Sequence, residues 1–183
     1  MLNKNSHIEV EKKVMIKDFQ YRRILVDEHI TENSIVKQVN SYYKNNLNDL
    51  LRVRKFTHTD DYLLTHKHWT GSELLENEAW TTKSDLEKDL ADFAKNEGLE
   101  DISHIGNLET YRVTIKKRYG ILCIDKNVYL GKTDYELEFE LYDPDISNFE
   151  EFYYFMVKHN IPLEMGKLSK YQRFSEELAK KND

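Results

Sequence analysis

The sequence predicts an α+β protein: an antiparallel sheet or barrel with helices packed outside it. Three observations predict this. About eight segments alternate polar and apolar residues with the two-residue period of a strand. Nearly all of them are joined by short turns, which suit antiparallel neighbours. The stretches with helical spacing fall between these segments or after them.

The first strand is expected from His7 to Ile16. Asp18 is a candidate cap for a helix carrying Phe19, Ile24, Leu25 and Val26. A second strand covers Ile35 to Tyr43 and ends in the turn-forming run Asn45 to Asp49. Leu50 to Phe56 and Tyr62 to His68 read as a hairpin around a Thr57–Asp61 turn. After Gly71-Ser72, the alternation of Glu76, Glu78 and Trp80 suggests another strand. Ser84 then caps a helix through Asn96, with Leu86, Leu90, Phe93 and Ala94 as its stripe and Gly98 near its stop. Three strands follow, Glu109 to Arg118, Ile121 to Tyr129 and Asp134 to Tyr142. Beyond Pro144, Phe149, Phe152, Tyr153 and Met156 share a helical face, and a last helix starts near Ser169.

One domain over residues 1–183 is the simplest organisation, since no Pro/Ser/Gly-rich linker, repeat or low-complexity tract interrupts the chain. Charged residues are 33% of the sequence and apolar ones 39%, so either the core is thin or some charge is enclosed. A net charge of −6 argues against a protein that coats nucleic acid, without excluding an anionic small ligand. The lone Cys123, between Leu122 and Ile124, reads as buried strand filler, and the absence of any disulfide pair favours a reducing compartment. No run matches a membrane span and no leader pattern opens the chain, so a cytoplasmic location is expected.

How charge divides among the strands carries the functional reading. Glu9, Glu11 and Lys13 share one side of the first strand, because alternate strand residues share a face. Arg52 and Arg54 alternate with Leu51 and Val53, and Lys67 closes the next strand. Arg112, Lys116 and Arg118 share a face opposite Tyr111, Val113 and Ile115. Glu136, Glu138 and Glu140 alternate with Tyr135, Leu137, Phe139 and Leu141. Strand by strand, this equally fits a solvated sheet face whose cross-strand ion pairs are worth ~0.2–1 kcal/mol each. Repeated over five strands, it fits charged faces turned inward, with one basic and one acidic wall. Basic side chains would grip a multiply charged anion, and carboxylates would hold a hard divalent cation bridging to it. Arg suits that grip through its planar fork of donors. His66 and His68 form a same-face pair, read as surface residues, and no Gly-rich phosphate loop is present.

These residues resemble a known family. Glu9-Val10-Glu11-Lys12-Lys13 fits the ExExK pattern of the CYTH domain, the triphosphate tunnel metalloenzymes. In order along the chain, Leu51-Arg52-Val53-Arg54 is similar to the family's LRxR strand and Leu63-Leu64-Thr65-His66-Lys67 to the strand after it. Leu74-Leu75-Glu76 looks like the acidic strand that follows, with Glu78 on the same face as the alternative residue. Thr114-Ile115-Lys116-Lys117-Arg118 resembles the KxR strand, and Leu122–Asn127 with Tyr129–Lys132 the Asp-containing hairpin. Asp134–Glu140 resembles the acidic final strand, and Ser169–Phe174 the basic C-terminal helix segment.

The resemblance implies an eight-stranded antiparallel β-barrel, open as a tunnel, with helices outside. It implies Mg²⁺ or Mn²⁺ as cofactor, with Glu9, Glu11, Glu138 and Glu140 holding metal and Asp125 nearby; Glu136 with Glu138 is the alternative pair. It implies phosphate contacts from Lys13, Arg52, Arg54, Lys67, Lys116, Arg118, Lys170 and Arg173, with Arg112 a further candidate. Catalysis would centre on Glu9, Glu11 and Lys13. The stretch Lys44 to Leu50 is shorter than in the family, so the second hairpin is short and the resemblance does not carry a substrate contact over to it.

The expected activity is metal-dependent hydrolysis of a triphosphate, whether tripolyphosphate or the triphosphate of a nucleoside or thiamine. With no histidine base in view, a carboxylate or the metal would activate the water. Two rivals use the same lining: a class IV adenylate cyclase, and a non-catalytic polyphosphate or nucleotide binding module. No nucleic-acid or membrane partner is expected, and a homodimer is left open.

Overall fold

A computed structural model describes residues 3–145, 148–164, 166 and 168–182, and no candidate site residue lies outside them. The strands are β1 (Lys4–Glu9), β2 (Glu11–Ile16), β3 (Val36–Lys44), β4 (Leu50–Phe56), β5 (Asp61–Thr70), β6 (Glu73–Thr82), β7 (Ser103–Lys116), β8 (Gly120–Tyr129) and β9 (Lys132–Leu141). Helices α1 (Asp18–Asp27), α2 (Leu86–Asn96), α3 (Glu150–Lys158) and α4 (Lys170–Asn182) complete it.

The strand count is nine among the described residues, where the sequence predicts eight. The difference lies at Val10. A single strand from His7 to Ile16 was expected, but its halves bond to different partners: β1 to β6, β2 to β9. Val10 falls between them, and its carbonyl accepts from the Leu141 N–H at 3.0 Å. Period-two alternation runs unbroken across such a change of partner, so the pattern cannot reveal it.

The chain forms two compact units. In the first, residues up to Glu9 join Lys37–Glu109, and the strands run in the order β1-β6-β5-β4-β3. Leu51, Val53, Leu64 and Ala79 face α2, whose Leu90, Phe93 and Ala94 close the core, as the apolar stripe predicts. The predicted cap Ser84 sits one residue early; Asp85 occupies the cap position, and the Ser84 hydroxyl bonds its carboxylate at 3.2 Å.

In the second unit, Val10–Val36 joins Thr110–Asp183, with strand order β7-β8-β9-β2. Val14, Leu122, Ile124, Leu137 and Phe139 form a core with Ile24 of α1 and with Phe152, Phe155 and Met156 of α3. Asp18 is the first helical residue of α1, not its cap; the Lys17 N–H is satisfied by the Gln20 side chain at 2.9 Å. Helix α4 opens with a reciprocal capping box: Gln172 N–H donates to Ser169 Oγ at 3.2 Å, and Ser169 N–H to Gln172 Oε1 at 2.8 Å.

In both units the strand face away from the apolar core carries the charge, and it is not solvated. Glu76 is 5% exposed and Arg52 7%, while Asp125 and Glu136 are fully buried. Among the described residues, no helix is long and apolar enough to cross a membrane.

Candidate active site

In the second unit, the register of β8, β9 and β2 sets carboxylates in rows. Asp125 stands opposite Glu136, Cys123 opposite Glu138, and Lys13 opposite Glu138 on the other side. Ligand oxygens of Asp125, Glu136 and Glu138 lie within 4.8 Å of one another. Three carboxylates this close repel strongly unless cations intervene, and four cations do. Arg112 donates from Nε and Nη2 to Asp125 at 2.8 and 2.6 Å, and from Nη2 to Glu138 at 2.6 Å. Lys170 Nζ lies 3.0 Å from Asp125, 2.7 Å from Glu136 and 2.6 Å from Glu138. Arg173 bonds Glu136 and Asp134. Lys13 pairs with Glu11 and lies 3.9 Å from Glu138.

Burial alone would raise the Glu138 carboxyl, but the charges of Lys170, Arg112 and Lys13 hold it well below the usual carboxylate range. Burial would lower Lys170, and Glu136, Glu138 and Asp125 raise it instead. Cys123 shares the face of Asp125, not the apolar core that its neighbours suggested. Burial pushes its thiol up to about 12, which makes it a poor nucleophile.

The first unit holds a separate network. Lys67 Nζ donates to both Glu9 oxygens at 2.6 Å and lies 3.1 Å from Glu76. Arg52 Nη2 donates to Thr65 Oγ1 at 3.1 Å and lies 3.5 Å from Glu76, as does His7. Arg54 donates to Asn40 at 2.8 Å, and Thr65 to Glu78 at 3.4 Å. Burial would raise Glu76, but the His7 hydrogen bond and the Lys67 and Arg52 charges hold it well down. Glu78 moves the other way, raised by burial and by Glu76 beside it.

Three further placements depart from the sequence pattern. Lys116 ends β7 and is exposed, and Arg118 lies past the strand with its guanidinium 5.0 Å from the Tyr119 ring. Glu140 stands opposite Glu11 in the ladder and outside the group of three, so the carboxylates drawn together include the alternative pair Glu136 and Glu138. His66, read as a surface residue, is buried on the α2 side, bonded to Glu97 at 3.0 Å and Asp49 at 3.3 Å, with its ring stacked on His68.

Sequence reasoning missed Asn127, Asp134 and Tyr129, which brace the acidic rows. Asn127 Nδ2 donates to Asp134 at 3.0 Å and Glu136 at 2.8 Å, and Tyr129 Oη to Asp134 at 2.8 Å. The signal was available: Asp134 is two residues before Glu136, and Asn127 two after Asp125.

The donor set fits a divalent cation. All three groups are carboxylates, the ligands Mg²⁺ and Mn²⁺ prefer. With metal–oxygen bonds of about 2.1 Å, ligand oxygens can be at most ~4.2 Å apart, so the group needs only slight contraction.

An antiparallel α+β fold with buried, alternating acidic and basic strand faces is the class of protein these features define. The family model for the CYTH domain matches residues 7–170, and the chain belongs to that family. A Bacillus subtilis protein named "Putative triphosphatase YjbK" is 29% identical over 157 residues, covering 76% of this chain and 80% of that one. A solved structure from Bacillus halodurans, described as a "putative adenylate cyclase", superposes with a TM-score of 0.79 at 26% identity, covering 92% of this chain and 98% of the other. The Hippeastrum protein HpAC1 superposes at 0.72 over 92% of this chain and 95% of its own; at 17% identity it shows the shared fold alone.

Proposed function

We propose that this protein hydrolyses a triphosphate in a divalent-metal-dependent reaction. The observation that carries the reading is the buried group Asp125, Glu136 and Glu138, ringed by Lys and Arg, in a CYTH chain with a relative named a triphosphatase. Asp125, Glu136 and Glu138 would hold Mg²⁺ or Mn²⁺, with Glu9, Glu11 and Glu140 as the further carboxylates of the expected set. When bound, the metal would supply Lewis-acid polarisation of a phosphoryl oxygen.

The remaining chemistry belongs to the chain's own side chains. Arg52, Arg54, Lys67 and Lys13 would bind phosphate oxygens and neutralise charge as the terminal P–O bond breaks. Arg52 supports this role, because its Nε is buried without a partner among the described residues. Such a donor costs about 1–3 kcal/mol until an acceptor reaches it. Glu78, whose carboxyl burial and the neighbouring Glu76 push upward, is suited to exchange a proton with water or leaving group.

The B. halodurans relative's description favours one second reading, cyclisation of ATP. Purified protein with Mg²⁺ or Mn²⁺, given tripolyphosphate, thiamine triphosphate and ATP, separates the readings. Phosphate release, abolished by Glu138→Gln, supports hydrolysis; cyclic AMP supports the cyclase. Tight binding of all three without turnover under either metal would leave a binding module and sink both enzymes.

A further inference from the structure

The first turn of α4 is built against its own dipole. A helix N-terminus disfavours cations, yet Lys170 is its first residue and Arg173 follows within the turn. The capping box at Ser169 satisfies two of the free backbone donors without any acid in that turn. What holds the two cations there is the β8–β9 carboxylate face.

Their roles differ. A guanidinium has five N–H donors, and all those of Arg173 are used within the protein. Nε bonds Asp134 at 3.0 Å, and Nη1 bonds Glu136 at 3.1 Å and the Leu168 carbonyl at 3.0 Å. Nη2 bonds Glu136 at 2.9 Å and Asp134 at 3.4 Å. Asp134 is itself fixed by Tyr129 and Asn127. Phe174 beside it is fully buried, its ring 6.3 Å from that of Tyr129. The Gly166 N–H, just upstream, donates to the Lys13 carbonyl at 2.7 Å. Nothing of Arg173 is left to bind phosphate, the role that the family resemblance gave it.

Lys170 carries a single point charge on a flexible stem, 2.6–3.0 Å from all three members of the carboxylate group. Any cation those three carboxylates held in common would compete for the same oxygens. Asp125, Glu136, Glu138 and Asp134 face Arg112, Lys170 and Arg173. Adding a divalent ion would leave a buried excess of one positive charge; withdrawing the ammonium removes it. A flexible four-carbon stem lets the ammonium move to water while the Arg173 fork keeps the helix docked.

We propose that Lys170 is a resident counter-ion that holds the carboxylate group in place of the divalent metal and withdraws when metal binds, and that Arg173 is the positioning residue that aims it. This rests on the metal-dependent reading above.

Two measurements test it. In the wild-type protein, acetylation of Lys170 by an amine-reactive ester, followed by mass spectrometry, is slow without metal and accelerates about tenfold on adding Mg²⁺ or Mn²⁺. Unchanged or deeper protection on metal binding overturns the proposal. By calorimetry without substrate, Lys170→Met binds Mg²⁺ at least about tenfold more tightly than wild type. Equal or weaker binding also overturns it, while leaving the metal-dependent reading intact. If neither protein takes up either metal, the metal-dependent reading falls and this proposal falls with it. For Arg173→Lys at saturating metal, KM for tripolyphosphate stays within about twofold of wild type. A rise of about tenfold makes Arg173 a phosphate ligand and overturns its positioning role.

Discussion

Arg112 and Asp125 form a two-pronged pair at 2.8 and 2.6 Å, and the same guanidinium reaches across to Glu138 at 2.6 Å. One side chain on β7 thereby ties β8 to β9 on the face opposite the apolar core. Arg112→Ala leaves two buried carboxylates short of a partner and should lower stability by about 3–5 kcal/mol. Arg112→Lys keeps the charge but not the fork and should lose part of that. Urea denaturation measures both.

Glu138→Gln should abolish Mg²⁺ uptake in calorimetry and lower triphosphate turnover by at least about a hundredfold. Glu140→Gln, one ladder step from the group of three, should lose far less. Equal losses at the two positions would place the metal toward Glu11 and Glu140 instead.

Glu76 sets an acid limit. Its folded-state carboxyl lies well below the ordinary value of 4.5, so it binds fewer protons folded than unfolded near that pH. Its stabilising contribution is therefore fully present above pH 4.5 and fades as pH falls toward the folded-state value. Denaturation curves between about pH 3 and 6 should show stability falling with acid, and Glu76→Gln should flatten that slope.

His66 belongs to packing on the α2 side, between Glu97 and Asp49. His66→Phe should cost about 1–3 kcal/mol by removing the ring's hydrogen bonds to these two carboxylates. Turnover per folded molecule should stay at the wild-type level, measured by activity corrected for the folded fraction.

Most of the fold was legible because period-two alternation is a direct consequence of strand geometry. Leu51 and Val53 against Arg52 and Arg54, or Leu137 and Phe139 against Glu136 and Glu138, divide as that rule requires. What the rule could not show is which strand pairs with which. The change of partner at Val10 preserves the alternation, so the sequence predicts eight strands where the described residues form nine. Burial was equally hidden: Lys116 and Arg112 look alike in sequence, yet one ends a strand in the open and the other is enclosed by acids. Cys123 looked apolar from its sequence neighbours, but adjacent strand residues point to opposite faces, and its ladder neighbour is Glu138.

Burial on both faces of β9 also bears on how reliably the chain finds its native pairing. Leu137 and Phe139 are fully enclosed on one side, and Glu136 on the other. A one-residue slip would drive Glu136, Glu138 and Glu140 into the contact surface of Phe152 and Met156, and strand Phe139 among the cations. So misplaced, Glu136 and Glu138 would lack their Lys and Arg partners and each cost several kcal/mol. Slipped pairings are therefore disfavoured at equilibrium, and the charges proposed to act on triphosphate also specify the strand's register.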